Sequence, residues 1–122
     1  MKRTHKRSAY SVEAQYAYIR AHFREEIPIA LLARRAGYSG AQFITRFRDV
    51  YGVTPKKQIT LLRLNRARML LSFTDMSACA IAAHCGYDDT YYFYKLFHRR
   101  FGVTPSEYRQ KIRKEVGPHA NV

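Results

Sequence analysis

The sequence predicts an all-α protein of seven helices, in which two similar helical units are joined by one long linker helix. Two observations support this prediction. A patterned block occurs twice, at residues 32–55 and 81–105, and the two copies are offset by 49 positions at the Gly-Tyr dipeptide and by 50 from the first Phe onward. Between the copies, the stretch from Pro55 to Ser72 contains no helix breaker. Repeated blocks of this length usually each form one supersecondary unit, and we find no pattern typical of a strand.

Each copy of the block reads as a helix, a short turn and a second helix. A short apolar helix ends at Gly37 in the first copy and at Gly86 in the second, because Gly readily adopts the left-handed conformation that follows a helix. An N-cap candidate follows, either Ser39 or one of the pair Asp88 and Asp89. The next helix carries Phe at positions i and i+4. This is a helix-turn-helix arrangement, although two helical hairpins that only pack together would give the same pattern.

The first half of the chain is predicted to hold three helices after a mobile basic tail at residues 1–9. Ser11 is the predicted cap of a first helix that reaches about Phe23. Its apolar stripe consists of Val12, Tyr16, Ile19 and Phe23. The second helix runs from Pro28 to Ala36, with Leu31 and Leu32 inward, and the third runs from about Gly40 to Val50.

The second half begins with Thr54-Pro55, a typical capped helix start. The linker helix that follows spans about 27 Å at 1.5 Å per residue, and Arg63, Arg66 and Arg68 are interleaved with its apolar residues. A fifth helix capped by Asp75 or Ser77 ends at Cys85, a sixth runs from about Asp89 to Phe101, and a seventh from Thr104-Pro105 to about Glu115. The predicted organisation is a tail at 1–9, a first helix-turn-helix subdomain at 10–53, the linker helix at 54–73, a second subdomain at 74–115 and a tail at 116–122.

The charge of the chain indicates a polyanionic partner. There are 22 Lys and Arg residues against 9 Asp and Glu, which gives a formal net charge of +13. Nucleic acid is the first candidate and an acidic membrane surface the second. Neither a membrane-spanning run nor a signal peptide is evident, so the expected location is the cytoplasm.

Catalytic and metal sites are not predicted. The two cysteines, Cys79 and Cys85, fall on different sides of one short helix and are expected to be buried thiols. His84 beside Cys85 is the only suggestive pair, but neighbours in a helix point about 100° apart. We find no nucleophile-base pair and no Gly-rich phosphate loop, and we therefore expect neither enzymatic activity nor a cofactor.

Helical wheels of the third and sixth helices show matching polar faces. Phe43 and Phe47 mark the buried side of the third helix, together with Ile44, Val50 and Tyr51, and Phe93, Leu96, Phe97 and Phe101 mark that of the sixth. The outward positions superpose in pairs: Ala41 with Tyr91, Gln42 with Tyr92, Thr45 with Lys95, and Arg48 with His98. Gln can bond bidentately to adenine, Lys can donate to guanine or phosphate, and Tyr suits the sugar-phosphate backbone or thymine methyl groups. The alternative is that these polar faces are simply solvated.

These residues resemble the DNA-binding domain of the AraC/XylS family of bacterial transcription regulators. The motifs that carry the resemblance are residues 32–39 with Phe43 and Phe47 in the first copy, and residues 81–89, Tyr92-Phe93, Phe97 and 101–109 in the second. The resemblance implies two helix-turn-helix units that enter successive major grooves on one face of double-stranded DNA. It also implies a monomer on an asymmetric site with no small-molecule effector domain, as in the single-domain members. The implied place of action is the bacterial nucleoid, with RNA polymerase as a further expected partner.

The wheels and the resemblance together give the candidate DNA contacts. They are Ser39, Ala41, Gln42, Ile44, Thr45 and Arg48 in the first unit, and Thr90, Tyr91, Tyr92, Tyr94 and Lys95 in the second. Three positions depart from the family: Thr45 replaces a common basic residue, Arg46 an apolar one and Ile44 a polar one. The first unit is therefore expected to read bases more weakly, or to sit slightly rotated in the groove.

Three other functions stay open from the sequence. A non-specific basic DNA-binding protein would have the same charge, because phosphate contacts dominate affinity. The chain could also be the DNA-binding fragment of a larger, effector-responsive regulator. A protein-interaction module that uses the Tyr-rich helix is the third.

Overall fold

A computed structural model describes residues 11–116, which form seven α-helices and no strand, as predicted. The helices are α1 (Val12–His22), α2 (Ile29–Arg35), α3 (Gly40–Tyr51), α4 (Pro55–Phe73), α5 (Ala78–His84), α6 (Thr90–Phe101) and α7 (Pro105–Val116). Each boundary lies within one or two residues of the predicted one. The predicted tail at 1–9 and the residues from Gly117 onward lie outside the described part of the chain.

Side-chain caps explain where several of these helices begin. Ser11 Oγ accepts a hydrogen bond from the Ala14 N–H at 2.9 Å. Of the alternatives left open by the sequence, Ser77 caps α5 and Asp89 caps α6, since their side-chain oxygens accept from the N–H groups three residues on. These bonds satisfy N–H groups that have no partner within the helix.

The two turns between paired helices have the same backbone geometry. Gly37 has a φ of 79° and Gly86 a φ of 102°, both in the left-handed region that favours glycine. The N–H of the Tyr that follows returns to the helix before the turn, at 2.9 Å from the carbonyl oxygen of Ala33 in one case and of Ala82 in the other. The sequence repeat is therefore a structural repeat.

The chain divides into two compact units, Met1–Leu62 and Arg63–Val122, with the division inside α4. The core of the first unit is built around Phe43 and Phe47, which are both fully buried. Its other buried apolar residues are Val12, Ile19, Leu32, Ala33 and Ile59. Tyr16 stacks on Tyr51 with ring centres 4.0 Å apart. Burial of Tyr51 raises the pKa of its hydroxyl, because desolvation disfavours the phenolate.

The core of the second unit repeats this plan around Phe93 and Phe97, again fully buried. Its other buried members are Leu64, Ala67, Leu71, Ile81, Ala82, Cys85 and Tyr87. Arg109 from α7 donates to the carbonyl oxygens of Leu71 and Thr74, both at 3.0 Å. These bonds satisfy carbonyl groups at the C-terminus of α4, where the helix itself offers no partner.

Two side chains are exposed although the sequence predicted that they are buried. Val50, expected on the buried side of α3, is 55% exposed, whereas Leu31, expected inward, is half-buried. Cys79, expected to be a buried thiol, is exposed, whereas Cys85 is buried. A helical wheel gives the direction of a side chain but not whether another element lies opposite it.

Candidate nucleic-acid interface

In each helix-turn-helix unit we call the second helix, α3 or α6, the recognition helix, because in this motif it is the helix that can lie in a DNA major groove. The recognition helix of the first unit, α3, begins with a reciprocal pair of hydrogen bonds. Ser39 Oγ accepts from the Gln42 N–H at 3.2 Å, and Gln42 Oε1 accepts from the Ser39 N–H at 3.1 Å. This is a capping box. The Ser39 N–H occupies one of the two lone pairs of the Gln42 amide oxygen, and the amide nitrogen of Gln42 can donate to an incoming partner. The capping box holds this side chain in one orientation, and a bidentate contact with adenine would use the same amide oxygen.

The rest of the outward face of α3 is formed by the predicted residues and two of their neighbours. Ala41, Gln42, Thr45 and Arg48 are exposed, and Ile44 is half-buried. A shallow hollow of about 350 Å³ on this face is lined by Tyr38, Ala41, Gln42, Thr45, Arg46 and Asp49. Arg46 lies over Tyr38, with its guanidinium carbon 5.2 Å from the ring centre. Arg46, which stands where the family usually has an apolar residue, is exposed.

The recognition helix of the second unit, α6, exposes a row of aromatic side chains. Tyr91, Tyr92 and Tyr94 are 71%, 47% and 37% exposed. Lys95 Nζ lies 5.3 Å from the centre of the Tyr91 ring, within cation-π range, so these two side chains form one exposed surface. Thr90 is half-buried, and its Oγ1 lies 3.5 Å from Cys79 Sγ.

A second hollow, of about 480 Å³, lies farther along α6. It is lined by Tyr94, Lys95, His98, Arg99 and Thr104. Six lining residues were not among the contacts predicted from the sequence: Tyr38, Arg46 and Asp49 in the first hollow, and His98, Arg99 and Thr104 in the second. Four of these six flank the predicted contacts on the helical wheels, so helical periodicity could have identified them. Thr104 follows the helix and is brought there by the chain reversal at Gly102.

The two recognition helices differ in charge. Helix α3 carries Arg46 and Arg48 against Asp49, whereas α6 carries Lys95, Arg99 and Arg100 with no acidic residue. Each helix buries its Phe pair and turns its polar residues outward. An exposed face with basic, hydroxyl and amide groups on a rigidly packed helix can donate hydrogen bonds to phosphates and to base edges.

The described residues form neither a metal site nor a membrane-spanning helix. Within residues 11–116, no group of three or more His, Cys, Asp and Glu side chains could hold a metal ion. In the same part of the chain, no helix combines the length and the apolar character needed to cross a bilayer.

Comparison with known proteins agrees with this geometry. The family model described as "Helix-turn-helix domain" (HTH_18) matches residues 32–111. The chain is 33% identical over 106 residues to the MmsAB operon regulatory protein of Pseudomonas aeruginosa. The matched region is 87% of this chain and 34% of that protein. It is 32% identical over 103 residues to the transcriptional activator RhaS of Escherichia coli O157:H7, covering 84% of this chain and 37% of RhaS. The chain thus spans about a third of the length of these relatives.

Solved structures show the same fold. The DNA-binding domain of the transcriptional factor AdpA, solved in complex with a target DNA, matches with a TM-score of 0.80 and 29% identity, covering 85% of this chain and 94% of that domain. A regulator with an AraC-type DNA-binding domain from Chromobacterium violaceum matches with a TM-score of 0.73 and 30% identity, covering 83% of this chain and 90% of that one. From the repeated units, their outward polar helices and these similarities, the chain belongs to the AraC family of helix-turn-helix, DNA-binding transcriptional regulators.

Proposed function

We propose that the chain binds a specific, asymmetric site on double-stranded DNA as a monomer, with α3 and α6 in successive major grooves. The observation that carries this proposal is the repetition of one exposed polar surface, at matching positions, on two helices whose opposite faces are buried. The AdpA domain that resembles this chain was solved on a target DNA, which supports the same partner here.

The proposed contacts in the second unit are Thr90, Tyr91, Tyr92, Tyr94 and Lys95. Lys95 can donate to guanine or phosphate, and the exposed tyrosines can contact the backbone or thymine methyl groups. In the first unit the proposed contacts are Ser39, Ala41, Gln42, Ile44, Thr45 and Arg48. The capping box orients Gln42, whose amide nitrogen can donate a hydrogen bond, while Ala41 and Thr45 offer methyl groups.

The proposal predicts two short half-sites with centres about 10 bp apart, and no palindrome. Selection from a random DNA pool followed by hydroxyl-radical footprinting tests this directly. We expect two protected segments of unlike sequence and a complex of one protein per duplex. A footprint confined to one half-site, or a symmetric site bound by two copies, would contradict the proposal.

A non-specific DNA-binding protein is the rival, because the net charge of +13 would suffice for it. Competition with random duplex separates the two functions. A specific binder should prefer its selected site by at least about 10³ at physiological salt. Equal competition by random duplex would favour the rival.

The larger setting of this domain is a further part of the proposal. We infer that the protein acts in the cytoplasm, on the nucleoid, as a non-enzymatic transcriptional activator that contacts RNA polymerase and needs no small-molecule effector. The second candidate is the DNA-binding part of a longer, effector-responsive regulator, which the greater length of the relatives favours. Transcription in vitro from a promoter with the selected site, using this chain alone, distinguishes them: stimulation supports the first, and binding without stimulation the second.

A further inference from the structure

A basic side chain of the linker helix α4 covers the turn of the second unit. Arg63 is half-buried, and its Nη1 donates to the carbonyl oxygen of Gly86 at 3.4 Å. Its guanidinium carbon lies 5.1 Å from the centre of the Tyr87 ring. Gly86 and Tyr87 form the turn that leads from α5 to α6. Arg63 therefore contacts the turn by both a hydrogen bond and a cation-π interaction.

The residue that Arg63 covers is packed directly against the start of α6. Tyr87 is only 7% exposed. Its ring centre lies 5.6 Å from that of Phe93 and 6.2 Å from that of Tyr92. A shift of Tyr87 would therefore move the first turns of α6, where Tyr91 and Tyr92 present their exposed rings.

The first unit covers its turn tyrosine from another direction. There Arg46 lies over Tyr38, and Arg46 belongs to the recognition helix α3 itself. The corresponding residue of α6 is Leu96, which is half-buried against the second core. An arginine on the recognition helix moves with that helix. Arg63 instead comes from α4, so it can fix the turn, and with it α6, against a different element.

We propose that Arg63 is a positioning residue that sets the orientation of α6 on DNA without touching DNA itself. The effect of Arg63 on DNA binding rests on the proposed function, whereas its contact with Gly86 and Tyr87 is present in the free protein. The planar guanidinium can stack on a ring and donate at its edge at the same time, which a lysine ammonium cannot do. Lysine at this position should therefore fail to replace arginine, although it keeps the charge.

The DNA test compares Arg63→Lys and Arg63→Met with Arg66→Met, a matched loss of one charge from an exposed position of the same helix. Affinities for the selected site and for random duplex are measured over a range of salt concentrations. We expect both Arg63 variants to lower the preference for the selected site by about tenfold, the size of one lost base contact. The dependence of log affinity on log salt should stay unchanged, and Arg66→Met should keep the preference.

The pattern across the site sharpens this test. In the Arg63 variants, base changes in the half-site read by α6 should matter less, while base changes in the other half-site keep their full effect. If Arg63 contacts phosphate instead, lysine rescues the affinity, and methionine lowers the salt slope by about one on every sequence. That result would overturn the inference.

A measurement on the free protein keeps this inference separate from the proposed function. Amide hydrogen exchange of residues 86–93 should become faster in both Arg63 variants and stay unchanged in Arg66→Met, with the amide of Phe43 in the first unit as the internal reference. If Arg63→Met fails to fold, Arg63→Lys carries the same comparison. Unchanged exchange at residues 86–93 would refute the positioning role. A wild-type protein without a preferred site would instead refute the proposed function.

Discussion

The first unit starts its recognition helix with a capping box, whereas the second starts it with the single cap of Asp89. The helices that follow the recognition helices, α4 and α7, show the reverse: the reciprocal pair of hydrogen bonds is found in the second unit and the single cap in the first. At the start of α7, the Thr104 N–H donates to the Glu107 side chain at 2.9 Å, and the Glu107 N–H donates to Thr104 Oγ1 at 3.1 Å. At the start of α4, Thr54 Oγ1 accepts from the Lys57 N–H, but Lys57 occupies the repeat position of Glu107 and has no carboxylate to complete the pair.

The two recognition helices also differ in charge. Helix α6 is purely basic and exposes three tyrosines, while α3 carries an acidic residue and mostly small polar groups. This difference teaches that a repeat can keep its core, its turn and an exposed polar face, yet diverge in the charge and size of the groups on that face. Four predictions test how far the two units differ, beginning with the largest effect.

Removal of a core aromatic from each unit should cause the largest loss of stability. We expect Phe47→Ala and Phe97→Ala each to cost about 3–5 kcal/mol of unfolding free energy, since both side chains are fully buried. Denaturant unfolding measures this loss. Phe73→Ala is the control, because Phe73 is 80% exposed and its removal should change stability by less than about 0.5 kcal/mol. Equal losses in all three variants would show that the assigned cores are wrong.

Removal of the central outward side chain should weaken specific DNA binding more in α6 than in α3. We predict that Lys95→Ala weakens specific binding by about 1–3 kcal/mol, and that Thr45→Ala, the same repeat position in α3, weakens it less. Thr45 offers no charge, so its contact with DNA is weaker. Titrations on the selected site and on random duplex measure both effects. A loss with Lys95→Ala that is equal on both duplexes would exclude base readout by Lys95.

Loss of the capping box should affect both the stability and the contacts of α3. Ser39→Ala removes the acceptor for the Gln42 N–H and should cost about 1 kcal/mol of unfolding free energy. It should also leave the Gln42 side chain more mobile. Ser77→Ala at the start of α5 is a control with a similar loss of a cap but no outward recognition residue beside it. Thermal unfolding gives the first effect, and DNA binding should change only in Ser39→Ala.

Acid should weaken the start of α7 and not that of α4. The hydrogen bond from the Thr104 N–H, followed by that with the Thr104 side chain, lowers the pKa of Glu107 below its ordinary value of 4.5. A lowered pKa in the folded state stabilises the protein above the ordinary pKa, and this stabilisation is lost as pH falls through the folded pKa. In melting curves between pH 7 and pH 3, Glu107→Gln should lose less stability than the wild type. A parallel loss in both proteins would exclude this role of Glu107.

Much of the fold could be predicted because its signals lie within a few residues of each other. Ser11, Gly37 and Gly86 marked helix ends, and the spacing of Phe43 and Phe47 marked a buried face. The capping box of α3 also rests on a local pattern, Ser39 and Gln42 three residues apart, which is visible in the sequence. These features depend on backbone geometry over one helical turn, which neighbouring residues determine.

Only the tertiary structure decided which apolar and polar groups have a partner. Val50 and Cys79 are exposed although their sequence patterns favoured burial, and Arg63 reaches a turn that is 23 residues away. The physical reason is that burial and long-range hydrogen bonds depend on what lies opposite a side chain in space. Helical periodicity determines the direction of that side chain, whereas the packing of separate helices determines what it meets.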